Sequence, residues 1–215
     1  MNRRLIAVLT LLVTAVAVRP ALAQQGGNVF IGLIAGGSYS SLRGNYAQQT
    51  RNYIWGFSGG ATFETYFKSN FALEVDAMYV QKGAGAVGTQ GLETTDLSMA
   101  YLQLPVLLKV NVPLSYNWSV NFYSGISIGF QMSCDLESSG GSSTACADNN
   151  PPGEPKSTDI AWPFGLGILY WPSGRNSGYL SFDLRYTYGL SSVFETVDVK
   201  TQTLELLLRY AFKIK

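Results

Sequence analysis

The chain has 215 residues, 47% hydrophobic and only 13% charged, with 23 Gly, 11 Phe, 13 Tyr, 4 Trp, two Cys and no His. Soluble globular chains carry about 25% charged residues, so something other than bulk water solvates much of this surface. Without histidine the chain lacks the side chain that most often moves protons or holds transition metals near neutral pH, which excludes His-based triads and His-ligated zinc.

At the N-terminus, Asn2, Arg3 and Arg4 make a short positive start, Leu5 to Val18 an apolar stretch, and Ala21-Leu22-Ala23 a small-x-small cleavage site before Gln24. The apolar stretch is shorter than the ~20 residues of a spanning helix, and Arg19-Pro20 interrupts it. Residues 1–23 therefore read as a cleaved secretory signal peptide and 24–215 as the mature domain. No Cys follows the cleavage site to take a lipid anchor. Removing Arg3, Arg4 and Arg19 leaves a slightly acidic chain with no electrostatic footprint for nucleic acid.

The rest of the chain has no apolar run long enough for a transmembrane helix and no amphipathic helix. Its period is two: Leu180, Phe182, Leu184, Tyr186, Tyr188 and Leu190 alternate with Ser181, Asp183, Arg185, Thr187 and Gly189. A strand sends those two sets to opposite faces. The same alternation predicts eight strands, at 28–39, 54–67, 71–81, 98–111, 118–131, 159–171, 178–190 and 200–213. Each reaches the ~9 to 11 tilted residues that cross a bilayer's hydrocarbon.

Charge placement orients these strands. Glu64 opposes Trp55, Phe57 and Phe63; Glu74 and Asp76 oppose Phe71, Leu73, Val75 and Tyr79; Lys109 opposes Leu102, Leu104, Val106 and Leu108. Glu205, Arg209 and Lys213 oppose Leu204 to Phe212 on the even positions, and Asp183 and Arg185 obey the same rule. A water-soluble barrel turns its charges outward, whereas a membrane barrel shows lipid an apolar band and keeps polar groups inside. An uncharged outer face in water would aggregate, so the predicted fold is all-β, an eight-stranded antiparallel up-and-down transmembrane β-barrel.

Connections alternate long (40–53, 82–97, 132–158) and short (68–70, 112–117, 172–177), with 191–199 intermediate. Bacterial barrels have short periplasmic turns and longer outside loops, which predicts an outer-membrane location with both termini periplasmic. Aromatics are expected to girdle the lipid face at both ends: Tyr39, Trp55, Tyr79, Phe130, Trp162 and Tyr188 outside, and Phe67, Phe71, Trp118, Tyr170, Tyr179 and Phe212 toward the periplasm.

Inside, Glu64, Glu74, Asp76, Asp183 and Glu205 face Lys109, Arg185, Arg209 and Lys213. An eight-stranded lumen is just wide enough for side chains to fill, and inward charges must be paired or hydrated. This near balance reads as an ion-pair plug rather than a catalytic or metal site, and predicts no large open pore. Small or kinked inward residues (Pro105, Gly125, Gly129, Pro163, Gly165, Gly167) are expected to make room for Tyr101 and Tyr123.

Cys134 and Cys146 share the longest connection and, in an exported chain, read as a disulfide. The Ser/Gly tract Ser138 to Thr144 and the Pro-rich run Pro151 to Pro155 describe a tethered, mobile lid. Asp148-Asn149-Asn150 reads as a solvated turn rather than a calcium ligand set. Gly83-Ala84-Gly85-Ala86-Val87-Gly88 fits the dinucleotide-binding glycine pattern, but that mechanism needs a following helix and the next run is a strand. Asn117-Trp118-Ser119 is a glycosylation sequon without meaning in a periplasmic turn.

Gly36-Gly37-Ser38, Ser41-Leu42 with Gly44, Gly56-Phe57-Ser58-Gly59-Gly60, Leu73-Glu74 leading to Tyr79-Val80-Gln81-Lys82-Gly83-Ala84, and Tyr101-Leu102-Gln103-Leu104-Pro105-Val106-Leu107-Leu108-Lys109 carry a resemblance. The chain resembles the outer-membrane beta-barrel family labelled porin-family or PorT-like, common in Bacteroidota. The resemblance spans the mature chain and implies an eight-stranded outer-membrane barrel without assigned chemistry, some relatives serving protein secretion or gliding. Such barrels commonly finish on an aromatic read by the assembly machinery, whereas Phe212 is followed here by Lys213-Ile214-Lys215.

The expected function is a non-enzymatic envelope-structural or surface-interaction role served by the outside loops, including the disulfide-closed loop 132–158; the resemblance implies no enzyme, because lipid-modifying barrels of this size depend on His and this chain has none. No cofactor is implied. Expected partners are outer-membrane lipid and lipopolysaccharide, the barrel-assembly machinery during insertion, and a surface protein or matrix component. The competing class is a barrel that binds or transports a small solute or lipid, or an accessory component of protein secretion.

Overall fold

The computed structural model describes residues 27–44, 52–85, 95–138, 143–146, 155–173, 178–195 and 198–215. The predicted signal peptide, Asp148-Asn149-Asn150 and most of the Pro-rich run lie outside the described residues.

Alternating sequence becomes strand almost throughout: β1 (Val29–Gly44), β2 (Ile54–Lys68), β3 (Phe71–Ala84), β4 (Thr95–Pro113), β5 (Trp118–Ser138), β6 (Ser143–Ala145), β7 (Thr158–Tyr170), β8 (Tyr179–Gly189) and β9 (Val199–Lys213). All pairings are antiparallel, and β1 pairs with both β2 and β9, so eight strands close into a barrel. The short β6 lies outside this ring and doubles back on the end of β5, with Asp135 opposite Ala145 and Glu137 opposite Ser143. Closure gives the wall's backbone N–H and C=O groups partners that lipid cannot supply.

Two prolines interrupt that ladder. Pairing of β3 with β4 passes from Val75↔Val106 to Met78↔Gln103, skipping Pro105, and that of β5 with β7 passes from Ser124↔Phe164 to Ser127↔Ala161, skipping Pro163. Proline has no N–H to donate on that edge. Both prolines stay in register on their other side, with Ser127 and Thr187.

The period-two pattern sorts the faces as the charges require. Along β8 the odd residues Tyr179 to Gly189 are buried while Leu180 and Phe182 are exposed, and along β9 Thr201, Thr203, Glu205, Leu207, Arg209 and Ala211 point inward while Leu208, Tyr210 and Phe212 point out. The exposed face holds large apolar side chains, Leu33 and Trp55 each 70% accessible, the band that acyl chains solvate.

At one end, here called the turn end, Ser69-Asn70 is a turn and residues 114–117 join β4 to β5. At the other, the loop end, β1, β3, β4 and β5 run past their predicted limits to Gly44, Ala84, Thr95 and Ser138. Residues there are small and polar, so hydrophobic alternation fades although pairing continues. Of the stretch expected as a loose lid, Ser138 ends β5 and Ser143 and Thr144 belong to β6, while residues 139–142 and 151–154 lie outside the described residues. A bulge re-aims β5: Tyr101 pairs with Gln131 but Ala100 with Ser133, leaving Met132 extra and exposed. Beyond that point the even residues Cys134 and Leu136 face inward in place of the odd ones.

Candidate functional site in the lumen and its cap

From the turn end upward, the first lumen layer is aromatic. Phe30 lies with its ring centroid 5.6 Å from Tyr66, 5.7 Å from Trp171 and 5.5 Å from Tyr179, and Leu169 and Ala211 complete a buried cluster. Tyr179 departs from its expected place in the lipid girdle. It shares the odd phase of Ser181 and Asp183, so it points inward and is fully buried, and its hydroxyl donates to Glu64 Oε2 at 2.7 Å.

Above this plug, side chains from five strands meet. Lys109 Nζ reaches Glu64 Oε2 at 2.9 Å and Glu74 Oε2 at 2.7 Å. Arg209 Nη1 also engages Glu74, lies 3.8 Å from Glu64 Oε2, and its Nη2 is 3.7 Å from Asp183 Oδ2. Arg185 Nη2 donates to Asp76 Oδ2 at 2.7 Å and lies 3.6 Å from Glu74 Oε1. Glu64 and Glu74 stand directly opposite each other on β2 and β3, a repulsive pair that Lys109 bridges from β4. Gly165 makes room for this layer, since a Cβ there would meet the Tyr123 ring at 2.7 Å; at Gly167 a Cβ would collide with the Asp183 carboxylate.

Glu205 stands apart from the ion pairs. Its carboxylate accepts from Ser58 Oγ at 3.0 Å and Thr187 Oγ1 at 3.1 Å, beside an apolar layer of Ile34, Met78, Val80 and Leu207. Lys213, expected inside, is half-exposed at the end of β9, opposite Phe30.

Sequence reasoning misses a second ionic level. Lys82 Nζ donates to Asp159 Oδ2 at 3.2 Å, both fully buried, and Asp159 also accepts from Ser191 Oγ at 2.9 Å and Thr201 Oγ1 at 3.3 Å. The alternation leaves Lys82 in a loop and Asp159 at the very edge of its run, outside the set of inward charges. Phase could have found both, since Lys82 continues the even series of Glu74 and Asp76, and Asp159 the odd series of Ala161 and Pro163. Six buried acids (Glu64, Glu74, Asp76, Asp159, Asp183, Glu205) thus face four buried bases (Lys82, Lys109, Arg185, Arg209) among the described residues.

The loop end carries an apolar cap of Leu42, Ala84, Leu97, Met99, Tyr101, Leu136, Cys146, Val193, Phe194 and Val199. The Cys134–Cys146 disulfide, with 5.5 Å between Cα atoms, is part of it. It cross-links the β5–β6 hairpin beside the Asp135–Ala145 pair and packs against the apolar cap.

On the outer surface, Trp55, Tyr79, Trp162 and Tyr188 lie toward the loop end and Phe71, Trp118, Tyr170 and Phe212 toward the turn end. Tyr79 is eight residues from Phe71, as Trp162 is from Tyr170. At ~3.3 Å per residue and ~40° tilt that is about 20 Å along the axis, close to the apolar band of such barrels. Rings pair locally, Trp118 on Tyr170 at 4.8 Å and Tyr39 on Tyr53 at 4.7 Å, and Trp162 Nε1 donates to Ser124 Oγ at 2.8 Å.

Among the described residues no group of His, Cys, Asp and Glu is disposed to hold a metal ion. The described lumen side chains pair charge with charge. A closed antiparallel barrel with an apolar, aromatic-edged outer band and a charged, filled interior defines an integral β-barrel of the outer-membrane type. The chain belongs to the family described as outer membrane protein beta-barrel domain, which matches residues 22–195.

Solved structures similar to this chain share the fold. Neisserial surface protein A is 14% identical, with a TM-score of 0.54 over 88% of this chain and 99% of its own. The outer membrane protein OprG from Pseudomonas aeruginosa is 14% identical, with a TM-score of 0.56 over 87% of this chain and 96% of its own. No curated protein matches the chain at a significant level.

Proposed function

We propose that this chain is a non-enzymatic, non-conducting barrel whose loop end meets a partner at the cell surface. The observation that carries this reading is the filling of the lumen. Aromatic plug, ion-pair layer, apolar layer, Lys82–Asp159 pair and disulfide-held cap follow one another with buried side chains at every level. The turns then face the periplasm together with both termini, and residues 1–23 are removed on export. The contrast between the two-residue turn at 69–70 and the longer connections of the other end supports that orientation. Outer-membrane lipid and lipopolysaccharide surround the band, and the barrel-assembly machinery inserts it. Gln81-Lys82-Gly83-Ala84 and Tyr101-Leu102-Gln103-Leu104-Pro105 support a PorT-like subtype.

Planar-bilayer recording of the purified, folded protein tests the reading: no large, stable conductance is expected, and finding one overturns it. Deleting Ser138 to Pro155 should abolish surface binding and leave or increase permeation. If that deletion leaves every phenotype intact while substitutions at Glu74 or Arg185 stop uptake of a solute, a transport barrel replaces the surface barrel.

A further inference from the structure

The outward strand phase is uncharged through the lipid band, but at the loop end of β1 and β9 it carries two cations. Arg43 and Lys200 stand directly opposite each other in the β1–β9 register. Like charges so placed repel. Asp198 relieves only Lys200, at 3.8 Å, and is itself 66% exposed.

Arg43 is held in place rather than free in solvent. Its guanidinium carbon lies 3.6 Å from the centroid of the Tyr188 ring, Nη2 donates to the Gly189 carbonyl, and Nε is shielded with no hydrogen-bond partner. One outward step nearer the lipid, Gln202 Nε2 donates to Tyr53 Oη at 2.9 Å and Tyr186 Oη donates to Gln202 Oε1 at 3.4 Å. Below these come the rings of Tyr39, Tyr53 and Trp55, with Tyr39 stacked on Tyr53 and tilted against Trp55.

Rings, then amide and phenols, then paired cations is the order of groups across a membrane surface, from acyl chains to headgroup phosphate. Among the described residues the feature is local to this flank. The outward strand charges Asp96 and Asp135, on β4 and β5, are acidic.

We propose that Arg43 and Lys200, set over Tyr188 and Gln202, bind the phosphate of a lipid headgroup in the outer leaflet. The proposal rests on the reading above that the loop end faces outward. The phosphate turns the Arg43–Lys200 repulsion into two charge-assisted contacts.

Native mass spectrometry of the purified barrel in detergent, titrated with diphosphorylated lipid A and with phosphatidylethanolamine, tests it. Wild type should retain lipid A selectively. The double variant Arg43→Gln/Lys200→Gln should bind it roughly thirtyfold more weakly, about 2 kcal/mol at 1.4 kcal/mol per tenfold. Heat-modifiable gel mobility reports that the variant is folded, and Arg43→Gln alone should show an intermediate loss. Binding within twofold of wild type in the folded double variant overturns the site, as does equal competition by millimolar inorganic phosphate, which would make it a free-anion site. Maleimide labelling of Glu195→Cys in intact cells tests orientation separately. Labelling with unaltered lipid binding by the double variant refutes the site alone, whereas no labelling refutes the orientation and, with it, the assignment to the outer leaflet.

Discussion

Replacing Lys109 by Met tests whether the lumen is a charge-balanced plug. Lys109 is fully buried and bridges Glu64 and Glu74 at 2.9 and 2.7 Å. Met keeps most of the volume and removes the charge. Breaking a buried pair by deleting one partner costs about 3 to 5 kcal/mol. Here the direction of the remaining imbalance decides which deletion costs more. With six buried acids and four buried bases among the described residues, losing Lys109 widens the acidic excess, whereas Glu74→Gln narrows it. Glu74 touches three cations, yet each keeps another acid: Lys109 keeps Glu64, Arg185 keeps Asp76 and Arg209 keeps Asp183. Lys109→Met should therefore cost the full ~3 to 5 kcal/mol, or roughly 6 to 20 °C in melting temperature. Glu74→Gln should cost less than that. Glu205→Gln, at a carboxylate bonded only to hydroxyls, should fall within about 1 kcal/mol of wild type. The assay is urea unfolding in lipid vesicles followed by tryptophan fluorescence, with gel mobility as a second probe. If Lys109→Met and Glu74→Gln cost the same, or both cost under about 1 kcal/mol, then water screens these charges and the plug argument fails.

Three further outcomes follow from the same geometry. Cys134→Ser/Cys146→Ser should lose about 3 kcal/mol, since the bridge closes a loop of sequence separation 12. Protease should then cut the β5–β6 hairpin in the folded barrel; unchanged resistance would mean the apolar cap holds without the bond. Phe30→Ala removes the ring shared by Tyr66, Trp171 and Tyr179, at about 3 to 5 kcal/mol. Liposome swelling should still show no solute entry, because the ion-pair layer lies above; entry would place the barrier in the plug alone. Leu208→Arg, on a residue 54% exposed in the band, should cost about 2 to 4 kcal/mol in vesicles. A negligible effect would remove the lipid from that face.

Much of the architecture is legible because strand phase is a local property. A two-residue period says which side chains share a face, and the absence of charge on one phase says which face meets lipid, with no knowledge of neighbours. Where the period weakens, the reading stops early. Lys82 and Asp159 are lost at strand ends flanked by Gly, Ala and Ser, where apolar alternation no longer marks the strand. The girdle expectation places Tyr179 by its aromatic type, whereas its phase points correctly to the lumen.

By itself, then, the sequence determined the eight strands of the barrel, the two faces, the apolar band and most of the inward charges, but not Lys82 and Asp159. Only the tertiary structure decided which charges meet. Lys109 on β4 finds Glu64 on β2 because register and barrel shear, not sequence distance, set their heights in the lumen. Likewise, the bulge at Met132 reverses the phase of β5 and delivers Cys134 to the cap. A single extra residue in one strand leaves composition and period nearly unchanged, but it turns every side chain beyond it to the other face.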